Sequence, residues 1–153
     1  MDIRRATIAD ATAICDIVIR SIRELCIEDH KDDPDILALW LANKTPENVA
    51  RWLETPANTN LVAIEGAFVL GAGCVTTAGE ITLNYVSPDA RFRGVSRALV
   101  AALEAAARQN GNRSCRLEST ATARRFYQGA GYVDSRAPMQ KHGLTTYPMS
   151  KDL

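Results

Sequence analysis

Residues 86–99, Val-Ser-Pro-Asp-Ala-Arg-Phe-Arg-Gly-Val-Ser-Arg-Ala-Leu, constrain this chain more than any other stretch. Residues 80–86 carry the β-branched and aromatic side chains of a strand, and Ala98, Leu99, Leu103 and Ala106 recur at helical spacing. An apolar strand must therefore turn through Arg and Gly straight into a helix. That helix opens near Val95, so its unpaired N–H groups and the positive end of its dipole face whatever lies over residues 92–97, and a phosphate suits such a turn. A glycine between strand and helix also serves plain turn geometry. The spacing lacks the Gly-Lys-Ser/Thr of a nucleotide P-loop and the three glycines of a dinucleotide-binding turn.

A second motif lies downstream, at Thr120-Ala-Thr-Ala123-Arg-Arg-Phe126-Tyr127-Gln-Gly-Ala-Gly131-Tyr132. Ala123, Phe126, Tyr127 and Ala130 share one helical face, and Gly131 is a natural left-handed stop before a strand at 132–133. With Arg91-Phe-Arg-Gly94-Val-Ser96 preceded by Val86-Ser-Pro88, this pair of motifs resembles the GNAT superfamily of N-acetyltransferases. The first is similar to that family's acyl-CoA pyrophosphate loop, Arg/Gln-x-x-Gly-x-Gly/Ala, and the second to its Asn-x-x-Ala-x-x-Phe-Tyr-x-x-x-Gly-Phe helix. The openings also match at residues 3–7, and the closing strand at 147–153. Three positions depart from the pattern. Phe92 stands where many members have Gly, Ser96 replaces the last Gly or Ala, and Thr120 replaces the Asn. Ser96 is small enough to let the backbone approach a diphosphate and can add a hydroxyl donor.

The chain length of 153 residues suits one domain, 1–153, with a sizeable core, and no linker, low-complexity run or repeat divides it. Lys plus Arg equals Asp plus Glu at 18 each, so no basic field argues for nucleic acid or an anionic membrane. Without a signal-like apolar core or a span of ~20 apolar residues, a cytoplasmic protein is expected. Cys15, Cys26, Cys74 and Cys115 are scattered with only His30 and His142 for company, and read as small apolar core residues rather than metal ligands, so no metal is expected.

Local signals predict a strand at 3–5 and a helix opened by Thr7-Ile-Ala-Asp10, running to about Cys26. Further helices are expected around Pro34–Leu41 and, capped by Thr45 before Pro46, over 47–54. Strands at 61–65, 68–76 and 80–86 make a meander; a helix, a strand at 114–118, a helix from Ala121 and terminal strands follow. The expected class is α/β, of mixed α+β type. The resemblance adds a central mixed sheet of about six to seven strands with an antiparallel N-terminal half, flanked by about four to five helices. It also implies a splayed parallel pair, residues 80–86 against 114–118, with a bulge in the first strand and pantetheine lying between them.

The same resemblance implies acetyl-CoA as cosubstrate and direct attack of a primary amine on its thioester. Backbone N–H groups near Tyr85 and Val86 would hold pantetheine or the acyl carbonyl, where negative charge builds. Arg91, Phe92, Arg93, Gly94, Val95, Ser96 and Arg97 would form the diphosphate loop, and Thr120 would touch the pantetheine arm or simply cap its helix. A lysine-like amine is only about 0.04% neutral at pH 7, so something must take its proton. Glu80 is the candidate base, since it stands where the protein-acetylating branch carries its Glu; a strand-opening carboxylate after a Gly turn is equally ordinary. Tyr127 would protonate the departing thiolate, while Phe126 belongs to the core. The acceptor would meet residues 28–35, Glu-Asp-His-Lys-Asp-Asp-Pro-Asp, whose acidity would steer cationic amines or merely start helices. Trp40 and Trp52 read as core or pocket wall. A non-catalytic acyl-CoA sensor on the same fold and a phosphate-binding module unrelated to CoA stay open as alternatives. Dimers are common in the family, so a homodimer is allowed, though no segment marks an interface.

Overall fold

Thr7 starts the first helical segment as its sequence requires. Its N–H donates to the Asp10 carboxylate at 2.7 Å, and Arg4, from strand β1 (Asp2–Arg5), donates to the same carboxylate at 2.8 and 3.0 Å. Those hydrogen bonds, Arg4 first, hold the Asp10 carboxyl below its ordinary pKa. A 3-10 turn, Ile8–Asp10, leads into α1 (Ala11–Leu25). After it come the single turn α2 (Ile27–His30), α3 (Pro34–Leu41) and α4 (Pro46–Glu54). Thr45 caps α4 through its side chain, which accepts from the Asn48 N–H at 3.2 Å.

The computed structural model describes residues 1–153, and its first sheet is the expected meander. Strands β1, β2 (Asn58–Glu65), β3 (Phe68–Thr76) and β4 (Ile81–Val86) lie side by side, each antiparallel to the next. Alternation along β2 divides the core. Val62 faces Ile14, Val18 and Ile22 of α1 and Val49 of α4, whereas Leu61 and Ala63 face the other layer. That layer is α5 (Val95–Gln109), whose Leu99 and Leu103 are fully buried, each worth about 1.5–3 kcal/mol. The first turns of the helix sit close because β3 offers only Gly71 and Gly73 beneath them. A Cβ on Gly71 would lie 2.9 Å from Val95 Cγ1 and 3.1 Å from Leu99 Cδ1, and one on Gly73 would lie 2.8 Å from Leu103 Cδ1.

The second sheet has the order β5 (Ser114–Ser119), β8 (Leu144–Asp152), β6 (Val133–Asp134), with β7 (Met139–Lys141) forming a hairpin on β8. Helix α6 (Ala121–Gly129) packs on it. A partly buried ion pair ties this half to α5: Glu104 accepts from Lys151 at 3.0 and 3.1 Å and from the Tyr132 hydroxyl at 3.0 Å. No helix is long and apolar enough to cross a membrane.

The two sheets join through one parallel bridge, Glu80 with Arg116, where the Arg116 N–H donates to the Gly79 carbonyl at 3.0 Å. Beyond it, β4 and β5 part. The register of β4 on β3 jumps from Cys74↔Leu83 to Val75↔Ile81, leaving Thr82 as an extra residue that bends β4 away. The mixed α/β architecture and the splayed parallel pair are thus as expected. Two very short strands, β6 and β7, raise the strand count. The extra helix is α2, a restart after Cys26 that leaves the α1 carbonyls of Ile22 and Arg23 to the His30 ring at 2.9 and 3.2 Å.

Candidate active site

Where β4 and β5 separate, backbone groups on the open edges of Thr82 to Val86 have no strand opposite them. The gap continues into a cleft of about 410 Å³. It is lined by Arg91, Phe92 and Ser96 from the loop and first turn of α5, by Asn84, Tyr85 and Val86 of β4, by Ser21, Leu25 and Cys26 at the end of α1, and by Glu118, Thr120, Thr122, Phe126 and Tyr127 from β5 and α6 with its cap. Arg91 and Glu118 are its charged residues.

Near Ser96, Gly94 adopts φ +78, and nothing lies within 4 Å of a Cβ placed there. The first N–H to donate into α5 is that of Ala98, to the Gly94 carbonyl at 3.0 Å; those of Val95, Ser96 and Arg97 find no acceptor in the protein. An open glycine bend, three free donors and a fifteen-residue helix dipole suit an anion. Phe92 is held at φ +61, a left-handed conformation costly for a side-chain-bearing residue, with its ring exposed and the Arg91 guanidinium 4.6 Å from its centre.

Tyr127 comes from α6, whose N-terminus is doubly fixed. The Thr120 hydroxyl accepts from the Ala123 N–H at 3.2 Å, and Asp29 of α2 accepts from the Ala121 and Thr122 N–H groups at 2.7 and 3.2 Å and from the Thr122 hydroxyl. Tyr127 is 7% exposed and meets Phe126 and Tyr132 edge-on. Burial pushes its phenol pKa up, while a hydrogen bond from Asn84, with Nδ2 at 3.2 Å from the hydroxyl oxygen, opposes that rise. Its proton is therefore retained at neutral pH. Burial also raises the neighbouring Tyr85 phenol, and it pushes the Cys26 thiol up to about 12. All four cysteines are free and buried.

Of the residues singled out in the sequence, Tyr85, Val86, Arg91, Phe92, Ser96, Thr120 and Tyr127 line this cleft. Arg93 pairs with Glu65 at 2.5 Å, and the Val95 side chain lies in the core, leaving its N–H for the loop. Gly94 and Arg97 sit beside them without lining the cleft. Glu80 is not brought to Tyr127. It lines a neighbouring polar depression with Arg116, whose guanidinium is 3.6 Å from its carboxylate. Glu118 lines both cavities and accepts from Lys141 at 3.2 Å. Sequence reasoning passed over Glu118 and Asn84. Asn84 stands as a polar residue between Leu83 and Tyr85 inside a strand, which is the signal that could have found it; Glu118, between Leu117 and Ser119, carries no such signal. The acidic segment 28–35 is partly spent on structure, since Asp29 caps α6 and Asp33 caps α3.

A family model described as "Acetyltransferase (GNAT) domain" matches residues 31–153. The chain belongs to that family. In three dimensions it is similar to a GCN5-related N-acetyltransferase from Rhodopseudomonas palustris, with TM-score 0.88, 24% identity, and 99% of this chain and 95% of that one covered. It is similar also to the PaiA N-acetyltransferase from Thermoplasma acidophilum in complex with coenzyme A, with TM-score 0.85, 15% identity, and 99% and 98% covered. The YncA acetyltransferase from Salmonella typhimurium, solved with its cofactor acetyl-CoA, aligns with TM-score 0.76, 22% identity, and 99% and 93% covered. No curated protein matches the sequence.

Proposed function

We propose that this acetyltransferase-family protein moves the acetyl group of acetyl-CoA to a primary amine of a small molecule or protein, by direct attack in a ternary complex. The observation that carries the reading is the junction of three features in one cleft: an unpaired edge of β4, free donors at the start of α5, and the buried Tyr127 hydroxyl against Asn84. The PaiA and YncA structures, with coenzyme A and acetyl-CoA respectively, support the choice of cosubstrate.

Acetyl-CoA supplies an acyl group activated as a thioester. The N–H groups of Val95, Ser96 and Arg97, with the Arg91 side chain, would hold its diphosphate, and Gly94 would let the backbone approach. Open backbone groups of Tyr85 and Val86 would bind the pantetheine arm or the acyl oxygen, and the Thr120 hydroxyl keeps a proton to donate nearby. The amine nitrogen forms its bond to the acyl carbon as the carbon–sulfur bond breaks. Tyr127 gives its proton to the sulfur that takes the electron pair. The proton shed by the amine leaves past Glu118 through water toward the depression that Glu118 shares with Glu80. Glu80 serves as a base in this reading by way of water.

A second reading, a non-catalytic acyl-CoA sensor, draws on Glu80's place outside the cleft and on the capping use of the Thr120 hydroxyl. Titration with acetyl-CoA, CoA and ATP, followed by thiol release with a panel of spermidine, an aminoglycoside and a lysine-bearing peptide, separates the two. Acetyl-CoA binding with amine-dependent thiol release supports the enzyme. Binding without release favours the sensor, and absence of CoA binding overturns both.

A further inference from the structure

Asn84 is the polar side chain of β4 that reaches Tyr127, and its two amide ends are used unequally. Nδ2 donates to the Tyr127 hydroxyl oxygen at 3.2 Å, whereas Oδ1 is buried with no hydrogen-bond partner. An amide selected for packing would have both ends satisfied, because a buried acceptor left unpaired is a net cost to folding. A residue that keeps such a cost in a cleft is better explained by what it does to its neighbour. A phenol has one proton and accepts through its oxygen. With Asn84 donating to that oxygen, the Tyr127 proton cannot be directed at Asn84 Nδ2. Phe126 and Tyr132 meet the ring edge-on and leave the hydroxyl to the cleft side.

We infer that Asn84 is a positioning residue that fixes the Tyr127 hydroxyl as an acceptor toward β4, so that its single proton points along the cleft, where a leaving thiolate would receive it. The inference rests on the proposed role of Tyr127. The amide has a second effect. Once the proton has passed to sulfur, the same N–H stabilises the phenolate left behind, in keeping with the direction in which Asn84 moves the Tyr127 pKa. Asn84 exchanges no proton with either substrate.

Three variants test this. Asn84→Leu removes the donor and also the unpaired acceptor. Its melting temperature should hold or rise, while single-turnover thiol release with the amine panel slows about tenfold. Asn84→Asp keeps the shape but can only accept when ionised, so the Tyr127 O–H turns to donate a hydrogen bond to it, away from the cleft, and release slows to the level of Tyr127→Phe. The deciding measurement is the cycle of Asn84→Leu with Tyr127→Phe. In the Tyr127→Phe background, Asn84→Leu should cost nothing further. Additive losses in the double variant would overturn the inference, as would an Asn84→Leu protein that loses stability while its turnover per folded molecule is unchanged. If Tyr127→Phe itself leaves release unaltered, the role of Tyr127 falls first. If Tyr127→Phe slows release and Asn84→Leu does not, only the positioning role falls. Should Asn84→Leu fold poorly, Asn84→Asp carries the comparison alone, and turnover well above that of Tyr127→Phe would count against it.

Discussion

Glu80 and Arg116 pair in parallel across β4 and β5 at the one point where the two sheets meet, and the cleft opens from there. The residue before the bridge makes the join tight. Gly79 has φ +85, and a Cβ on it would lie 2.8 Å from the Ser114 carbonyl oxygen, a backbone atom that cannot swing aside. Gly79→Ala should therefore lower stability by about 2 kcal/mol or more, combining left-handed strain with displaced backbone. Urea denaturation checks this, and an unchanged midpoint would mean that the sheets tolerate a wider join.

Tyr127→Phe keeps the ring, the edge-on contacts and the burial, and removes only the hydroxyl. Thiol release should fall about 10²-fold while acetyl-CoA affinity stays close to wild type. Calorimetric titration beside steady-state kinetics reads the two quantities separately. Equal turnover in both proteins would remove Tyr127 from the chemistry.

Phe92 presents a strained backbone with an exposed ring. Substituting Gly relieves about 1–2 kcal/mol of left-handed strain and gives back about 0.4–1 kcal/mol through a freer unfolded chain. With the small contact to Arg91 also lost, Phe92→Gly should be more stable by roughly half a kcal/mol. Phe92→Ala, which keeps the strain, should show no gain. Paired denaturation curves decide between them.

Asp10 sets part of the acid limb of stability. Its folded pKa is depressed, so its contribution is full above the unfolded aspartate value near about 3.9 and is lost as pH falls through the lower folded value. Wild type should therefore exceed Asp10→Asn in stability at neutral pH, with the gap closing as the pH falls below about 5. A constant gap across that range would show that the carboxylate's charge is not what Arg4 and Thr7 are reading.

Local chemistry made much of this legible. Thr45 before Pro46, Thr120 ahead of its helix, and the Phe126-Tyr127 stripe each specify their own geometry over a few residues, and the structure agrees. Glu80 shows where that reasoning stops. A position matched by resemblance gives only a place in the chain, and the extra residue at Thr82 bends β4, so that Glu80 lines the neighbouring depression instead of the cleft of Tyr127. Asp29 is a second case. It lies in an acidic run that looks like a rim for cationic ligands, yet its carboxylate holds Ala121 and Thr122 some 92 positions away, a pairing that no local pattern announces. Asn84 is marked locally as a polar residue between Leu83 and Tyr85, but its partner, 43 residues downstream, is not.

Gly71 and Gly73 pair with Val86 and Asn84 along the edge of β4 that faces β3, and they gauge the distance between β4 and the start of α5. Each acts as an omitted shim: a methyl group there would lift α5 off its bed and carry the donors of Val95 and Ser96 away from Tyr85 and Val86. The span between the free donors of α5 and the open edge of β4 is thus recorded in hydrogen atoms one layer beneath the cleft.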